Sequence, residues 1–445
     1  MKLLKRLLGS EYGMIGVLLS LCLFFSLITY DEQQPVGLDA AQRVSEQIDQ
    51  IKVLEKSVII AGTGGKDGQI FAEHLEELLR SKNWYIKELV IGGPPELGQA
   101  INKAFEGNST VTLLACEKAF VKLPVVENLK RKTLGVKSID IVYPETYNWP
   151  NFLKATNLLN IANQIAVIAI IAIGMTLVII TAGIDLSVGS LIAFSAVLAT
   201  WVIQNWFGGV GAGLVGIITG CLIAILVCGG LGLFTGSMVA YFKVPPFVSS
   251  LGMMMVASGF AYMLSGGLSI YQLPDAFSWI GRGDDLGGIP NAVVLMIILY
   301  LLAHFLMKGT TIGRYIYAVG GNSEAARLSG IPVKRILLWV YAGSASLAGL
   351  GGVVMASQFQ SGDPKYGLMY ELYVIAAVVV GGTSLAGGRG RVFGTLIGAF
   401  IIAVIQNGMN LTGVQSYTQK VVLGFVLLAA VLIDLLKKHG WRING

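Results

Sequence analysis

Charged residues are scarce in this chain. They make up 13% of its 445 positions, whereas hydrophobic residues make up 54%. The mean hydropathy is +0.70. Soluble globular proteins are about 25% charged, so this composition excludes an ordinary soluble domain and predicts an integral membrane protein.

Cysteine and histidine are also few. The four cysteines form no C-x-x-C pair and the three histidines are widely separated, so we expect neither a disulfide framework nor a metal site. No G-x-x-x-x-G-K-[ST] phosphate loop occurs, and Asp67 stands where a dinucleotide-binding G-x-G-x-x-G beginning at Gly62 requires glycine. We therefore expect no catalytic residues and no cofactor held by this chain itself.

Long apolar runs, in contrast, are abundant. The first, from Met14 to Ile28, follows a tail that carries Lys2, Lys5 and Arg6. We expect a polytopic α-helical membrane protein with about ten transmembrane helices. The nine later spans are predicted near 158–181, 185–205, 210–235, 246–265, 290–307, 335–357, 371–386, 391–408 and 415–436.

Basic residues gather at one set of span ends. The 308–335 loop holds five Lys or Arg residues against Glu324 alone, and the C-terminal tail is basic, whereas the loops at 266–289 and 358–371 are mixed or acidic. The positive-inside rule then places both termini in the cytoplasm. The same distribution accounts for the net charge of +6 without a nucleic-acid partner.

A polar segment interrupts the membrane pattern at 31–150. Strand patterns at 57–61, 84–91, 110–116 and 138–143 alternate with helical patterns at 67–80 and 95–105. This alternation predicts a small, largely parallel α/β domain. Because the domain follows an outward-leading span, we expect it to be extracytoplasmic. The remaining parts are then 1–30, the cytoplasmic tail and first transmembrane helix, and 151–445, the main transmembrane domain.

The stretch TAGIDLSVGS (181–190) places Asp185 inside an apolar run. A carboxylate at the bilayer centre costs at least ~2.5–3.5 kcal/mol. Gly183 suits the end of a helix, and Asp185 or Ser187 suits the start of the next, so we predict a broken helix. Two interpretations stay open: Asp185 only caps a helix, or the break lines a path for a solute.

A second glycine-rich interruption, GGTSLAGGRG (381–390), lies in another apolar run. Two such breaks in one chain indicate transport more than a static anchor. Packing or capping is the alternative role for each small polar residue that could line the path. The predicted path residues are Thr181, Asp185, Ser187, Thr383, Ser384 and Asn407.

The basic loop at 308–335 contains a short helical pattern, EAARL. Asn322 or Ser323 can cap its start, Gly330 can stop it, and Pro332 prevents its continuation. A short helix displayed between two spans suits the docking of a cytosolic partner, although a simple connector would show the same pattern.

Four segments carry a family resemblance: GMTLVIITAGIDLSVGS (174–190), KVPPFVSSLGMM (243–254), AVGGNSEAARLSGIPV (318–333) and GGTSLAGGRGRVFGTLIGAFII (381–402). In this order they resemble the ribose/xylose-type permease subunits of bacterial ATP-binding-cassette (ABC) importers. The resemblance covers about 155–436. It implies a homodimer or pseudo-dimer of permeases in the bacterial inner membrane, seated on two ATPase subunits that bind the ATP and supplied by an extracytoplasmic sugar-binding protein.

The resemblance also implies that 308–335 is a coupling loop whose helix enters a groove on the ATPase, and that both glycine-rich segments lie close to the translocation pathway. The residues expected to couple the permease to the ATPase are Asn322, Glu324, Ala325, Ala326, Arg327 and Gly330.

The chain departs from the family pattern in two places. Gly236-Ser237 stands where family members usually have an Asn-Gly pair, and the 31–150 domain stands where they have a short external loop. We expect this inserted domain to help dock or gate the sugar-binding protein.

The expected function is therefore import of a monosaccharide or similar small polar solute, driven by ATP hydrolysis on separate subunits. The alternative is an ion-coupled secondary transporter. It would need buried ionisable pairs, and besides Asp185 the spans offer few charges. A membrane-anchored sensor would not need ten spans.

Overall fold

A computed structural model describes residues 13–51, 56–105, 111–124, 126 and 140–439. The basic N-terminal tail and the residues after 439 lie outside the described residues. The chain forms two units: a smaller one at Tyr30–Pro150, and a larger one made of Met1–Thr29 together with Asn151–Gly445.

The smaller unit alternates strands and helices. Helix α1 (Gly13–Ile28) precedes it in the chain, and its own elements follow in order: β1 (Tyr30–Gln33), α2 (Gly37–Asp49), β2 (Ser57–Thr63), α3 (Lys66–Ser81), β3 (Tyr85–Gly92), α4 (Pro94–Phe105), β4 (Leu113–Cys116), α5 (Lys118–Val121), β5 (Asp140–Val142) and β6 (Tyr147–Pro150).

Four of these strands form a parallel sheet in the order β3-β2-β4-β5. Strand β2 lies inside it and is covered on both faces. Val58 and Ile60 pack into a core with α2 and α3, whereas Ile59 and Ala61 pack into a second core with α4. Burial on both faces is what a continuous apolar strand requires, and it explains why SVIIAGT carries no polar alternation.

A separate two-stranded ladder closes the unit. Strands β1 and β6 pair antiparallel, from Tyr30 opposite Pro150 to Gln33 opposite Tyr147. The Gln33 side chain donates to the Trp149 carbonyl at 3.0 Å. The sequence patterns did not predict this ladder, because each strand is only four residues long. It places the two ends of the unit side by side.

The larger unit is helical. Within the described residues, seven of its helices are long and apolar enough to cross a membrane. After the smaller unit its helices are α6 (Ala155–Ile180), α7 (Val188–Phe207), α8 (Leu214–Ala240), α9 (Pro246–Ser265), α10 (Trp279–Arg282), α11 (Asn291–Gly309), α12 (Thr311–Gly321), α13 (Ser323–Leu328), α14 (Val333–Phe359), α15 (Tyr370–Val380), α16 (Val392–Leu411) and α17 (Ser416–His439).

The seven long helices are α6, α7, α8, α9, α11, α14 and α16, and each covers a predicted span. Helices α1, α15 and α17 cover the other three positions with shorter apolar stretches. The predicted span at 371–386 is wrong in extent. Helix α15 has 11 residues, about 16 Å at 1.5 Å per residue, or half of a ~30 Å hydrocarbon core. It ends because the chain turns at Gly382, whose φ of +87° a helix cannot contain.

Small residues let α8 and α14 pack closely. A Cβ on Gly232 would lie 2.5 Å from the Tyr341 carbonyl oxygen, and a Cβ on Gly236 would lie 3.1 Å from the Tyr341 Cβ. Glycines spaced four residues apart on one helix face are the usual device for such contact between membrane helices. The close packing of α8 fixes the position of α14, which carries several residues of the site described next.

Candidate functional site

The first break lies between Ile180, the last residue of α6, and Val188, the first of α7. The left-handed residue there is Ala182, with a φ of +61°, so the prediction that Gly183 ends the helix is wrong. Gly183 is required for packing rather than for the turn. A Cβ at this position would lie 2.5 Å from the Tyr341 hydroxyl oxygen, so the glycine lets α14 approach the break.

Asp185 is 1% exposed and hydrogen-bonded through both carboxylate oxygens. One oxygen accepts from the Ser187 amide at 3.0 Å and from the Ser187 hydroxyl at 2.5 Å, and the other accepts from the Ser344 hydroxyl at 3.3 Å. The carboxylate therefore satisfies a free amide at the start of α7 and ties the break to α14. Of the two predicted capping residues, Asp185 supplies the acceptor.

The second break occupies 381–391, between α15 and α16. Its glycines Gly387 and Gly388 adopt φ values of +81° and +72°. The Gly388 amide donates to the Ile180 carbonyl at 2.8 Å. A Cβ on Gly390 would lie 2.6 Å from the Thr383 Cγ2 and 2.9 Å from the Ile180 Cγ1. The two breaks that the sequence predicted separately are thus in direct backbone contact.

Helix α12 ends on this contact. A Cβ on Gly320 would lie 1.6 Å from the Ile180 carbonyl oxygen and 2.7 Å from the Gly388 amide nitrogen. The Tyr317 hydroxyl, one turn earlier, donates to the Gly390 carbonyl at 2.8 Å. We call Ile180, Gly320 and Gly388 the glycine junction. No side chain other than hydrogen fits at Gly320, so three backbone segments meet there without an intervening layer.

Helix α13 follows α12 after one residue, Asn322. The Asn322 side chain accepts from the amides of Glu324 and Ala325 at 3.1 and 2.9 Å, so Asn322, not Ser323, caps the helix. At the other end Gly330 has a φ of +81° and donates to the Arg327 carbonyl at 3.0 Å. These caps satisfy the orphan backbone groups that a six-residue helix cannot satisfy alone.

The surface of α13 is displayed to its surroundings. Ala326 is its buried residue, whereas Leu328 is 75% exposed. Arg327 forms an ion pair with Glu324, its Nε lying 3.1 Å from Oε2. The hydrogen bond and the charge of Arg327 lower the pKa of Glu324 from its ordinary value, with a smaller contribution from Lys243. The helix thus presents an apolar side chain next to a fixed charge pair.

Three hydroxyl groups near the breaks are buried without a hydrogen-bond partner. Across the described residues, the buried side-chain oxygens that lack a protein hydrogen-bond partner belong to Tyr341, Thr383 and Ser384. Tyr341 touches the first break through Gly183, and the other two lie in the second break. Buried polar groups are nearly always paired with protein or with ordered water, so these three hydroxyls mark the two breaks as a region that can take up water or a polar solute.

Asn407 lies apart from the other predicted path residues. It exchanges two hydrogen bonds, at 2.8 and 3.0 Å, with Asn157. Asn157 is near the start of α6, whereas Thr181 follows its end. The 26 residues of α6 span about 39 Å. The structure therefore groups Thr181, Asp185 and Ser187 in the first break, and places the second break beside them, but does not bring Asn407 there.

Glu371, at the boundary shared by the predicted 358–371 loop and 371–386 span, lies in the first turn of α15. A Cβ on Gly189, in the first turn of α7, would lie 2.2 Å from its Oε2. Glu371 was not among the predicted path residues. The sequence signal that could have indicated it is an acidic residue at the start of an apolar helix. Within the described part of the chain, no three His, Cys, Asp or Glu side chains gather as a metal ion would require.

Comparison with known protein families assigns most of the chain to one family. Residues 157–431 match the family described as the permease component of the branched-chain amino acid transport system. This range is more than half of the chain and includes both breaks, the glycine junction and α13. The chain belongs to this permease family. The permease is thus a multi-pass membrane protein, and its smaller unit, Tyr30–Pro150, lies outside the family match.

Curated relatives are similar over the same part of the permease. It is 44% identical over 293 residues to the ribose import permease protein RbsC of Escherichia coli (strain K12), covering 64% of this chain and 87% of that protein. Identity to RbsC of Bacillus subtilis (strain 168) is 42% over 287 residues, covering 64% and 86%. Identity to the D-allose transport system permease protein AlsC of E. coli (strain K12) is 37% over 286 residues, covering 64% and 85%. No solved structure gives a significant match.

Proposed function

We propose that the permease is the transmembrane subunit of an ABC importer that moves a monosaccharide across the bacterial inner membrane. Relatives that are 37–44% identical are named for ribose import and D-allose transport. The observation that carries the mechanism is the glycine junction, which connects an exposed, capped helix to both breaks. ATP is bound and hydrolysed on separate subunits.

In this mechanism α13 enters a groove on the ATPase. ATP binding moves the two ATPase subunits together, and α13 moves with them. Because Gly320 rests on the Ile180 carbonyl and the Gly388 amide with no side chain between, the displacement reaches the end of α6 and the second break directly. Helix termini move more easily than helix interiors, so the breaks are where a path opens and closes.

The path residues are proposed on the same basis. Thr181, Asp185 and Ser187 lie in the first break and Thr383 and Ser384 in the second, and all five are buried. Opening of the breaks would expose their polar groups to the solute. The three hydroxyls without a protein partner are consistent with this proposal, because water or a hydroxylated solute that enters an opened path would give them partners.

The orientation follows from charge. The basic 308–335 loop and both termini are cytoplasmic, which places α13 on the ATPase side and residues 31–150 outside the cytoplasm. A second permease copy, identical or related, completes the pathway, and an extracytoplasmic sugar-binding protein delivers the substrate. Cysteine labelling with a membrane-impermeant reagent at positions in the 308–335 and 31–150 segments checks this topology.

Co-purification tests the partnership with the ATPase. Leu328→Asp places a charge at the exposed apolar position of α13, so we expect loss of the ATPase from the purified complex. Leu286→Asp is the matched control, because Leu286 is also exposed, at 60%, and lies outside the 308–335 loop. Uphill solute uptake by the permease alone on a proton or sodium gradient would contradict the proposal.

We further propose that the inserted domain docks or gates the sugar-binding protein, since both are extracytoplasmic. Replacing 34–146 with an Asn-Gly turn would join β1 to β6 as a hairpin, because Gln33 already pairs with Tyr147. The shortened permease should assemble with its ATPase but bind the sugar-binding protein more weakly. Unchanged affinity would remove the docking role.

A further inference from the structure

A groove lined by α6, α14, α15 and α16 has not been assigned a role. It encloses about 250 Å³. Its polar side chains are three glutamines and two tyrosines: Gln164, Gln358, Gln406, Tyr370 and Tyr373. The volume lies just below the ~300–1,000 Å³ of drug-sized ligand sites, which suits a single sugar ring.

The glutamines are concentrated in this groove. The seven long apolar helices contain four glutamines, and Gln204 is the one that does not line it. Gln164 is exposed in the third turn of α6. An amide that faces hydrocarbon loses its hydrogen bonds at a cost of several kcal/mol. Its position is favourable where this face of the permease meets water, a polar solute or a second permease copy in place of lipid.

The positions of these side chains are fixed by contacts. The Gln358 amide donates to the backbone and side-chain oxygens of Asn163, both at 3.2 Å, which holds it against α6. The rings of Tyr370 and Tyr373 meet edge to face, with centroids 6.2 Å apart. The polar groups thus project from four different helices into one space, which is the arrangement of a preformed binding site.

The chemistry of the lining selects for a neutral, hydroxylated solute. Gln164 and Gln406 each carry two donors and an acceptor, matching hydroxyl groups that both donate and accept. Gln358 adds its carbonyl oxygen as an acceptor, because its amide nitrogen already donates to Asn163. Tyrosine rings and apolar residues such as Ile168 and Met355 provide surface for the C–H face of a sugar ring. Among the described lining residues none is charged, so an amino acid would find no partner for its carboxylate or ammonium group.

We propose that this groove is the site where the permease holds a monosaccharide during transport. The proposal rests on the importer function proposed above and names a binding site within it. It predicts that sugar specificity is checked a second time inside the membrane, by Gln164, Gln406 and the tyrosines, after the binding protein has released its ligand.

Site-directed labelling tests the groove without the binding protein. In a Cys22→Ser background, Gln406→Cys in the assembled permease–ATPase complex should react with a small thiol reagent. Excess D-ribose should slow the reaction at least about threefold, whereas leucine should not. A cysteine that the reagent does not reach, equal protection by leucine, or no protection by ribose would each overturn the proposal.

Transport provides the second measurement. In proteoliposomes with ATPase and binding protein, Gln406→Leu keeps the side-chain volume but removes the amide, and loss of one hydrogen bond should lower ribose uptake about fivefold. Gln204→Leu, outside the groove, should leave uptake unchanged. Equal uptake by both variants refutes the groove alone. Failure of the wild-type complex to import any monosaccharide refutes the proposed function instead.

Discussion

Gly320→Ala should separate ATPase docking from transport. The added Cβ would lie 1.6 Å from the Ile180 carbonyl oxygen and 2.7 Å from the Gly388 amide nitrogen. Ordinary carbon–oxygen contacts are longer than 3 Å, so α12 and the breaks must move apart by more than 1 Å. Overpacking of this kind costs about 1–3 kcal/mol, and loss of the hydrogen bond from Gly388 to Ile180 adds about 1 kcal/mol.

The neighbouring glycine gives a matched control. A Cβ on Gly321 meets nothing within 4 Å, so Gly321→Ala changes composition and helix propensity equally without touching the junction. The surface of α13 is the same in both variants, so each should retain the ATPase on co-purification. Gly320→Ala should lower sugar uptake per ATP hydrolysed at least tenfold, whereas Gly321→Ala should not.

Tyr317→Phe tests whether a loss of transport in Gly320→Ala is caused by misfolding, because it weakens the same contact without a steric clash. It adds no volume and removes only the hydroxyl that donates to the Gly390 carbonyl at 2.8 Å, so it should lower the uptake per ATP partially in a fully assembled complex. The reasoning is refuted if Gly320→Ala and Gly321→Ala transport equally well, or if Tyr317→Phe and Gly320→Ala lose the ATPase itself.

Three further predictions follow from the helix ends. Asp185→Ala leaves the Ser187 amide unpaired and should destabilise the purified permease by about 1–3 kcal/mol in thermal unfolding, whereas Asp185→Asn keeps an acceptor and should lose less; equal losses would contradict the capping role. Gly330→Ala forces a residue with a side chain into a φ of +81°, which costs about 1 kcal/mol, and should weaken ATPase retention. Arg327 lowers the pKa of Glu324 below its ordinary 4.5, so the ion pair is present above that value and lost as pH falls through the lowered pKa; ATPase retention that declines between pH 7 and about pH 5 would contradict this.

Hydropathy and turn chemistry predicted much of this fold from the sequence. Apolar runs located the seven long helices, and glycine, proline and asparagine at 322–332 located α13 with its caps. These signals are local, because a helix needs a certain length of apolar residues and its ends need particular side chains. The sequence located both helix starts for the same reason, but it left two capping candidates at each, Asp185 or Ser187 and Asn322 or Ser323. The side-chain contacts in the structure decide between them.

The contacts between distant segments could not be predicted in this way. Gly183 suggested a left-handed turn, yet its absent side chain makes room for Tyr341, which lies more than 150 positions later in the chain. Gly320 carried no signal of its own, since a glycine that ends a helix and one that admits a neighbouring carbonyl are alike in a single sequence. The polar faces of α6 and α16 were likewise visible only once the helices were assembled.

The paired strands β1 and β6 have a practical consequence for protein engineering. Since the ends of the smaller unit are adjacent, the rest of the chain needs to bridge only the width of a hairpin when the unit is removed. A fluorescent protein or a nanobody whose own termini lie close together could be grafted at the same point. The permease thus offers a natural site for attaching an optical reporter to a transporter of this family.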